Sequence, residues 1–155
     1  MGGLAAAEAF VVHEGAEMSS QEHESVEQPD PIEDGVGRRL SRRLLASFFL
    51  GAGVNHFVMA HAYEQIVPPG LRDHAKEIVQ ISGVAEIAGG VGVFVPATRR
   101  LSGVALIALL AAVFPANVYM AREPERFRKI PRWALYGRLA LQPLMMLWAW
   151  KATRR

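Results

Sequence analysis

Four long apolar stretches dominate the chain and leave few folds open to it. Leu44–Ala62 runs for 19 residues without a formal charge, and Ile78–Val95 for 18 with Glu86 alone. Leu101–Met120 has 20 with none, and Trp133–Trp150 has 18 with Arg138 alone. A helix rises 1.5 Å per residue, so each reaches roughly 27–30 Å, the thickness of a hydrocarbon core. A helical bundle in water needs a polar face on every helix, and these stretches show none. The expected fold class is therefore all-α: a four-span transmembrane helical bundle over residues 38–155, with spans at about 44–62, 78–95, 101–120 and 133–150. The links of 15, 5 and 12 residues carry turn chemistry at Pro68-Pro69-Gly70, Pro96 and Pro131. Links this short set successive helices side by side and antiparallel. Trp133, Trp148, Trp150, Tyr63, Tyr119 and Tyr136 fall near span ends, where interfacial aromatics belong.

The remaining chain is its chemical opposite. Residues 1–37 hold nine acids and no Lys or Arg, whereas residues 38–155 hold all 17 basic residues and six acids. Leu4–Val12 is apolar but too short to span a bilayer, and it lacks the positive flank of a secretory signal. The stretch after it, rich in Glu, Ser, Gln, Pro and Gly, cannot bury enough apolar surface to offset chain entropy. Residues 1–37 are accordingly expected to be a disordered acidic tail. With no cysteine in the chain, disulfides, thiolate metal sites and cysteine nucleophiles are all excluded. The basic residues flank the spans rather than forming one stripe, which argues against nucleic acid.

Four spans put both termini on one side. Arg38, Arg39, Arg42, Arg43, Arg99, Arg100, Lys151, Arg154 and Arg155 then share that side, nine against seven opposite. The excess, led by the cluster before the first span, places the termini in the cytoplasm. The link Ala121–Arg132 conflicts with this, because its five basic residues then face outward. Lipid phosphates or an acidic partner could meet them there.

Polar side chains inside a bilayer are costly, and few interrupt these spans. Asn55 and His56 lie in the first, Glu86 in the second, Asn117 in the third, and Arg138 and Gln142 in the fourth. Counted from the outer ends, they lie at depths of roughly 4–14 Å, within one half of the core. Antiparallel packing thus brings them to a common level as an intramembrane polar cluster, a candidate ligand or proton site. Glu86 and Arg138 are expected to form a buried ion pair, with His56, Asn117 and Gln142 completing its hydrogen bonds. The competing reading is structural: a pair that fixes helix register. Removing one charge alone should then be worse than removing both.

No metal site is expected, since His56 and His61 are five apart rather than the four that align two ligands on a helix. Small residues at spacing four suit close helix contact: Ser47 and Gly51, Ala85 and Gly89, Glu86 and Gly90, Ala88 and Gly92. Pro115 and Pro143 each free a carbonyl beside the polar cluster.

The pieces GVNHFV (53–58), IVPPGL (66–71), ISGVAEIAGGVGVFVP (81–96), VFPANVYMA (113–121) and RLALQPLMMLWAW (138–150) resemble the DoxX family of small bacterial membrane proteins. The resemblance covers about residues 44–150. It implies a multi-pass protein of the bacterial cytoplasmic (inner) membrane, surrounded by lipid. It also implies an accessory or anchoring subunit of a quinone-linked redox system, with a soluble redox protein as partner, rather than an enzyme on its own. A quinone ring suits an apolar slot with a few donors and acceptors, and His56, Asn117, Arg138 and Glu86 could supply them. Two alternatives stand beside this. One is a non-catalytic scaffold that docks a soluble partner. The other is a small transporter, which with so few spans would need to act as a homo-oligomer.

Overall fold

The computed structural model describes residues 31–154, and within them the chain is all-helical. Helix α1 spans Pro31–Val58, α2 Ala60–Gln65, α3 Ala75–Phe94, α4 Arg99–Arg122 and α5 Arg132–Thr153. A short 3₁₀ turn, Pro69–His74, precedes α3. The ends of α3, α4 and α5 fall close to the expected apolar stretches.

Helix α1 differs from expectation at both ends. It begins at Pro31, inside the segment expected to be unstructured. A proline opens a helix without losing a bond, because the first N–H has no partner anyway. The rest of the expected acidic tail, residues 1–30, lies outside the described residues. At the other end α1 stops at Val58, and Met59 (φ −116°, ψ 33°) separates it from α2. No Gly or Pro marks this break. Contacts further along explain it. Tyr63 of α2 stacks on His56 with ring centroids 4.0 Å apart, and Asn55 Nδ2 donates to the Tyr63 hydroxyl at 3.1 Å. These two interactions fold α2 back against the last turn of α1.

The four long helices form a ring: α1 packs on α3, α3 on α4, α4 on α5, and α5 returns to α1. Glycines set its closest approaches. A Cβ on Gly53 would lie 2.7 Å from the Gly83 carbonyl oxygen, and one on Gly83 would lie 2.8 Å from His56 Cβ. One on Gly90 would meet the Ala46 carbonyl at 3.0 Å. As numbers fall along α1 they rise along α3, so the pair is antiparallel. Gly89 against Leu106, and Gly103 against Thr153, join α3 to α4 and α4 to α5 in the same way. Of the small-residue pairs read from the sequence, Ser47 and Gly51 do not take part. Both are exposed, and nothing lies within 4 Å of a Gly51 Cβ.

One end of the ring is filled. Leu45, Ala46, Phe49, Val93, Leu106, Met145, Ala149 and Ala152 form a continuous apolar core. Trp148 Nε1 donates to Ser41 Oγ at 2.9 Å and ties α5 to α1 there. At the opposite end Met120, Phe127 and Leu135 make a smaller core with Ile66, Tyr119 and Ile130 around it. Phe127 thereby anchors the α4–α5 link, whose Glu125 pairs with Arg128 at 3.2 Å and Arg132 at 2.5 Å. These pairs are exposed and contribute little.

Two helical stretches, Pro69–Phe94 and Arg99–Arg122, are long and apolar enough to cross a membrane. Only 17% of the most apolar window of the second is buried, so most of that helix faces outward. Large apolar side chains face outward on the other helices too, among them Leu44 and Val54 on α1, Ile81 and Val84 on α3, and Leu144 on α5.

Candidate functional site

Between the two cores lies a cavity of about 460 Å³, lined by all four long helices together with α2 and the segment after it. Its walls are mainly apolar: Phe48 and Phe49 from α1, Ile78 and Val79 from α3, Leu110 and Val113 from α4, and Leu141 and Met145 from α5. Five of the six residues of the predicted polar cluster line it: His56, Glu86, Asn117, Arg138 and Gln142. Asn55 does not, and its amide is engaged with Tyr63 instead.

The five polar groups divide into two sets. On the α4–α5 side, Asn117 Nδ2 donates to Gln142 Oε1 at 2.8 Å, and Arg138 Nε donates to Asn117 Oδ1 at 3.3 Å. Gln142 Nε2 donates to the Leu110 carbonyl. Arg138 and Gln142 are one turn apart and meet the same Asn117, as their spacing requires. Pro115 sits inside α4 without ending it, and withholds the N–H that the Ala111 carbonyl would otherwise accept. Asn117 follows it by two residues.

On the α1–α3 side, His56 Nδ1 lies 2.9 Å from the Ala52 carbonyl and 3.4 Å from Glu86 Oε2. A carbonyl can only accept, so Nδ1 carries the hydrogen and gives it to Ala52. Glu86 Oε2 is enclosed without a hydrogen-bond partner. Close packing of Gly53 on Gly83 produces this placement. His56 Cβ packs directly over the Gly83 position, and Glu86 stands one turn further along α3, within reach of the imidazole.

The buried Glu86–Arg138 ion pair is therefore a correction. Among the described residues the basic side chain beside Glu86 is His56, 3.4 Å away on the helix packed tightest against α3. Arg138 is exposed at the edge of the cavity and hydrogen-bonds to α4, its immediate neighbour. Helices α3 and α5 lie on opposite sides of the ring, with the cavity between them. The expectation that losing both charges is milder than losing one falls with the pair.

Two polar lining residues, Ser82 and Tyr63, lie outside the cluster expected from the sequence, the latter expected only as an interfacial aromatic. Ser82 is buried one turn before Glu86 on the same face of α3, and that spacing was its signal. Tyr63 faces the cavity through the break at Met59, which has no sequence signal.

At the far end of α1, partial burial lowers the Arg42 pKa from its ordinary value, and the neighbouring Arg99, Arg38 and Arg39 lower it further. The basic residues before the first apolar stretch and those opening α4 thus converge at one end of the molecule, away from the cavity's polar groups.

Comparison with known proteins gives a family and no activity. No curated protein matches the chain significantly, and no solved structure does. The profile described as Domain of unknown function (DUF8561) matches residues 45–153, which takes in nearly all of the helical ring and every cavity-lining side chain named above. The chain belongs to the DUF8561 family.

Proposed function

We propose that this chain is a four-span protein of the bacterial cytoplasmic membrane, of the DoxX type, whose cavity holds a quinone-like ring as an accessory to a membrane redox system. The observation that carries the reading is the cavity: apolar walls with a few convergent donors and acceptors, inside a ring whose outer surface is apolar. Its volume is about 460 Å³, within the usual range for small-molecule sites. Helices α1 and α5 are the two added to the clearly apolar pair. Arg138 and Gln142, which line the cavity, lower the hydropathy of α5, and Arg42, Arg43, Asn55 and His56 lower that of α1. The outward side chains Leu44, Val54 and Leu144 complete their lipid faces.

The residues fit a quinone ring. Phe48 and Phe49 of α1 offer flat apolar contact, while Asn117 of α4 and Arg138 of α5 line the same cavity as polar groups. A quinone would supply the redox chemistry. The protein's part is to bind the ring, exclude water and hold hydrogen-bonding groups at its edge.

Protein extracted in native lipid should carry quinone near one equivalent. The Glu86→Ala/Arg138→Ala double variant should carry only the bulk-lipid level, read by organic extraction and chromatography. Equal quinone in both would sink the quinone reading and favour a scaffold that docks a soluble partner. Topology has its own test. The chain has no cysteine, so single cysteines report cleanly. A cysteine replacing exposed Lys129 should label from outside intact cells, and one replacing exposed Lys151 should not. The reverse pattern would put the termini outside.

A further inference from the structure

Resting on the quinone reading, we propose that the cavity discriminates the redox state of its ligand and binds the hydroquinone in preference to the quinone. Three features of the lining lead there. First, the carboxylate of Glu86 lines the cavity and receives no hydrogen bond from the described residues. The one donor close to it, His56 Nδ1, gives its hydrogen to the Ala52 carbonyl and stands 3.4 Å from Oε2. A buried acceptor left in this state costs free energy until a donor arrives.

Second, the opposite side of the cavity has the complementary surplus. Arg138 uses its Nε on Asn117 Oδ1, and its remaining guanidinium N–H groups have no partner among the described residues. Third, the two sides do not satisfy each other, because no ion pair joins Glu86 to Arg138 across the space. Ser82, a turn before Glu86, adds a buried hydroxyl that can accept or donate.

A ligand that completes this lining must donate at one end and accept at the other. A quinone ring has two carbonyls and can only accept. With Glu86 ionised, a quinone oxygen on that side would face a carboxylate oxygen with no hydrogen between them. A hydroquinone carries an O–H at each end. One donates to Glu86 while the other oxygen accepts from Arg138. With Glu86 ionised, donation to its charged carboxylate should make the hydroquinone bind at least about tenfold more tightly. Binding the reduced form more tightly raises the potential of the bound couple, by about 30 mV for a tenfold preference in a two-electron couple. The site would then gather reducing equivalents rather than release them.

The test uses full-length protein in phosphatidylcholine nanodiscs, titrated calorimetrically under anaerobic conditions at about pH 9, where Glu86 is ionised. Three decyl-tailed probes are compared: a benzoquinone, its hydroquinone, and the dimethyl ether of that hydroquinone. The expected result is a dissociation constant at least about tenfold lower for the hydroquinone than for either other probe. In Glu86→Gln the amide can rotate to donate or accept, and the preference should fall to within about threefold. Equal binding of hydroquinone and quinone, or tighter binding of quinone, overturns the inference and leaves the quinone site standing. Dimethyl ether binding as well as hydroquinone also overturns it, because donation would then be irrelevant. Binding of none of the three overturns the quinone reading itself. The probe comparison needs only wild-type protein, so it stands even where the variant fails to fold.

Discussion

Gly83→Val should unfold this protein more readily than any change at the cavity. The new Cβ would lie 2.8 Å from His56 Cβ, 2.9 Å from Phe57 Cε2 and 3.0 Å from the Gly53 carbonyl oxygen. A backbone carbonyl cannot swing aside as a side-chain tip can, so α1 and α3 must separate. Overpacking costs about 1–3 kcal/mol in general, and with backbone among the obstacles the upper end, about 3 kcal/mol, is expected. The measurement is the midpoint of thermal aggregation in detergent. Gly51→Val is the matched control. It lies on the same helix as Gly53, but nothing surrounds its Cβ within 4 Å, and its midpoint should stay near wild type. Equal midpoints for the two variants would refute the α1–α3 register. Gly83→Val should also lower quinone retention, because His56 and Glu86 are set opposite each other by that register.

Gln142→Leu should have the next largest effect, through the other half of the cavity. Gln142 is buried and accepts from Asn117 while donating to the Leu110 carbonyl. Leucine fills similar space but leaves the Asn117 amide without its acceptor. A stranded buried polar group costs about 1–3 kcal/mol. A loss near 2 kcal/mol is expected, again as a lower aggregation midpoint. Gln142→Glu keeps an acceptor for Asn117 and loses the donor to Leu110, so it should fall between leucine and wild type. If both variants melt with wild type, the Asn117–Gln142 bond does not hold α4 to α5.

These two residues also show how much was legible in advance. Apolar run lengths located α3, α4 and α5 to within a few residues, because hydropathy decides which segments leave water. Depth counting along antiparallel helices brought His56, Glu86, Asn117, Arg138 and Gln142 to one level, and one cavity joins them. Rotation about each helix axis was beyond that method. Asn55 and His56 differ by about 100° around the helix, and depth alone cannot separate them. Partner choice was illegible for the same reason. Charge suggested Glu86 with Arg138, whereas the glycine contacts determine who faces whom. The spacing rule succeeded on α3, where Gly89, Gly90 and Gly92 meet neighbouring helices, but on α1 it selected Ser47 and Gly51 rather than Gly53, because spacing does not reveal which face turns inward. The break at Met59 depends on Tyr63 reaching back to His56 and Asn55, a side-chain contact that hydropathy and turn residues do not reveal.

The filled end of the ring has a consequence for ion leakage. In the four-span reading, a solute or proton that reaches His56 and Glu86 meets Phe49, Leu45, Met145 and Ala149 beyond them, packed as one core. There is no polar stepping stone among those residues. The cavity is a cup, closed toward the end that bears Arg42 and Arg99. In that reading an acid and a base sit within the bilayer with a packed apolar core between them and the end that bears Arg42 and Arg99.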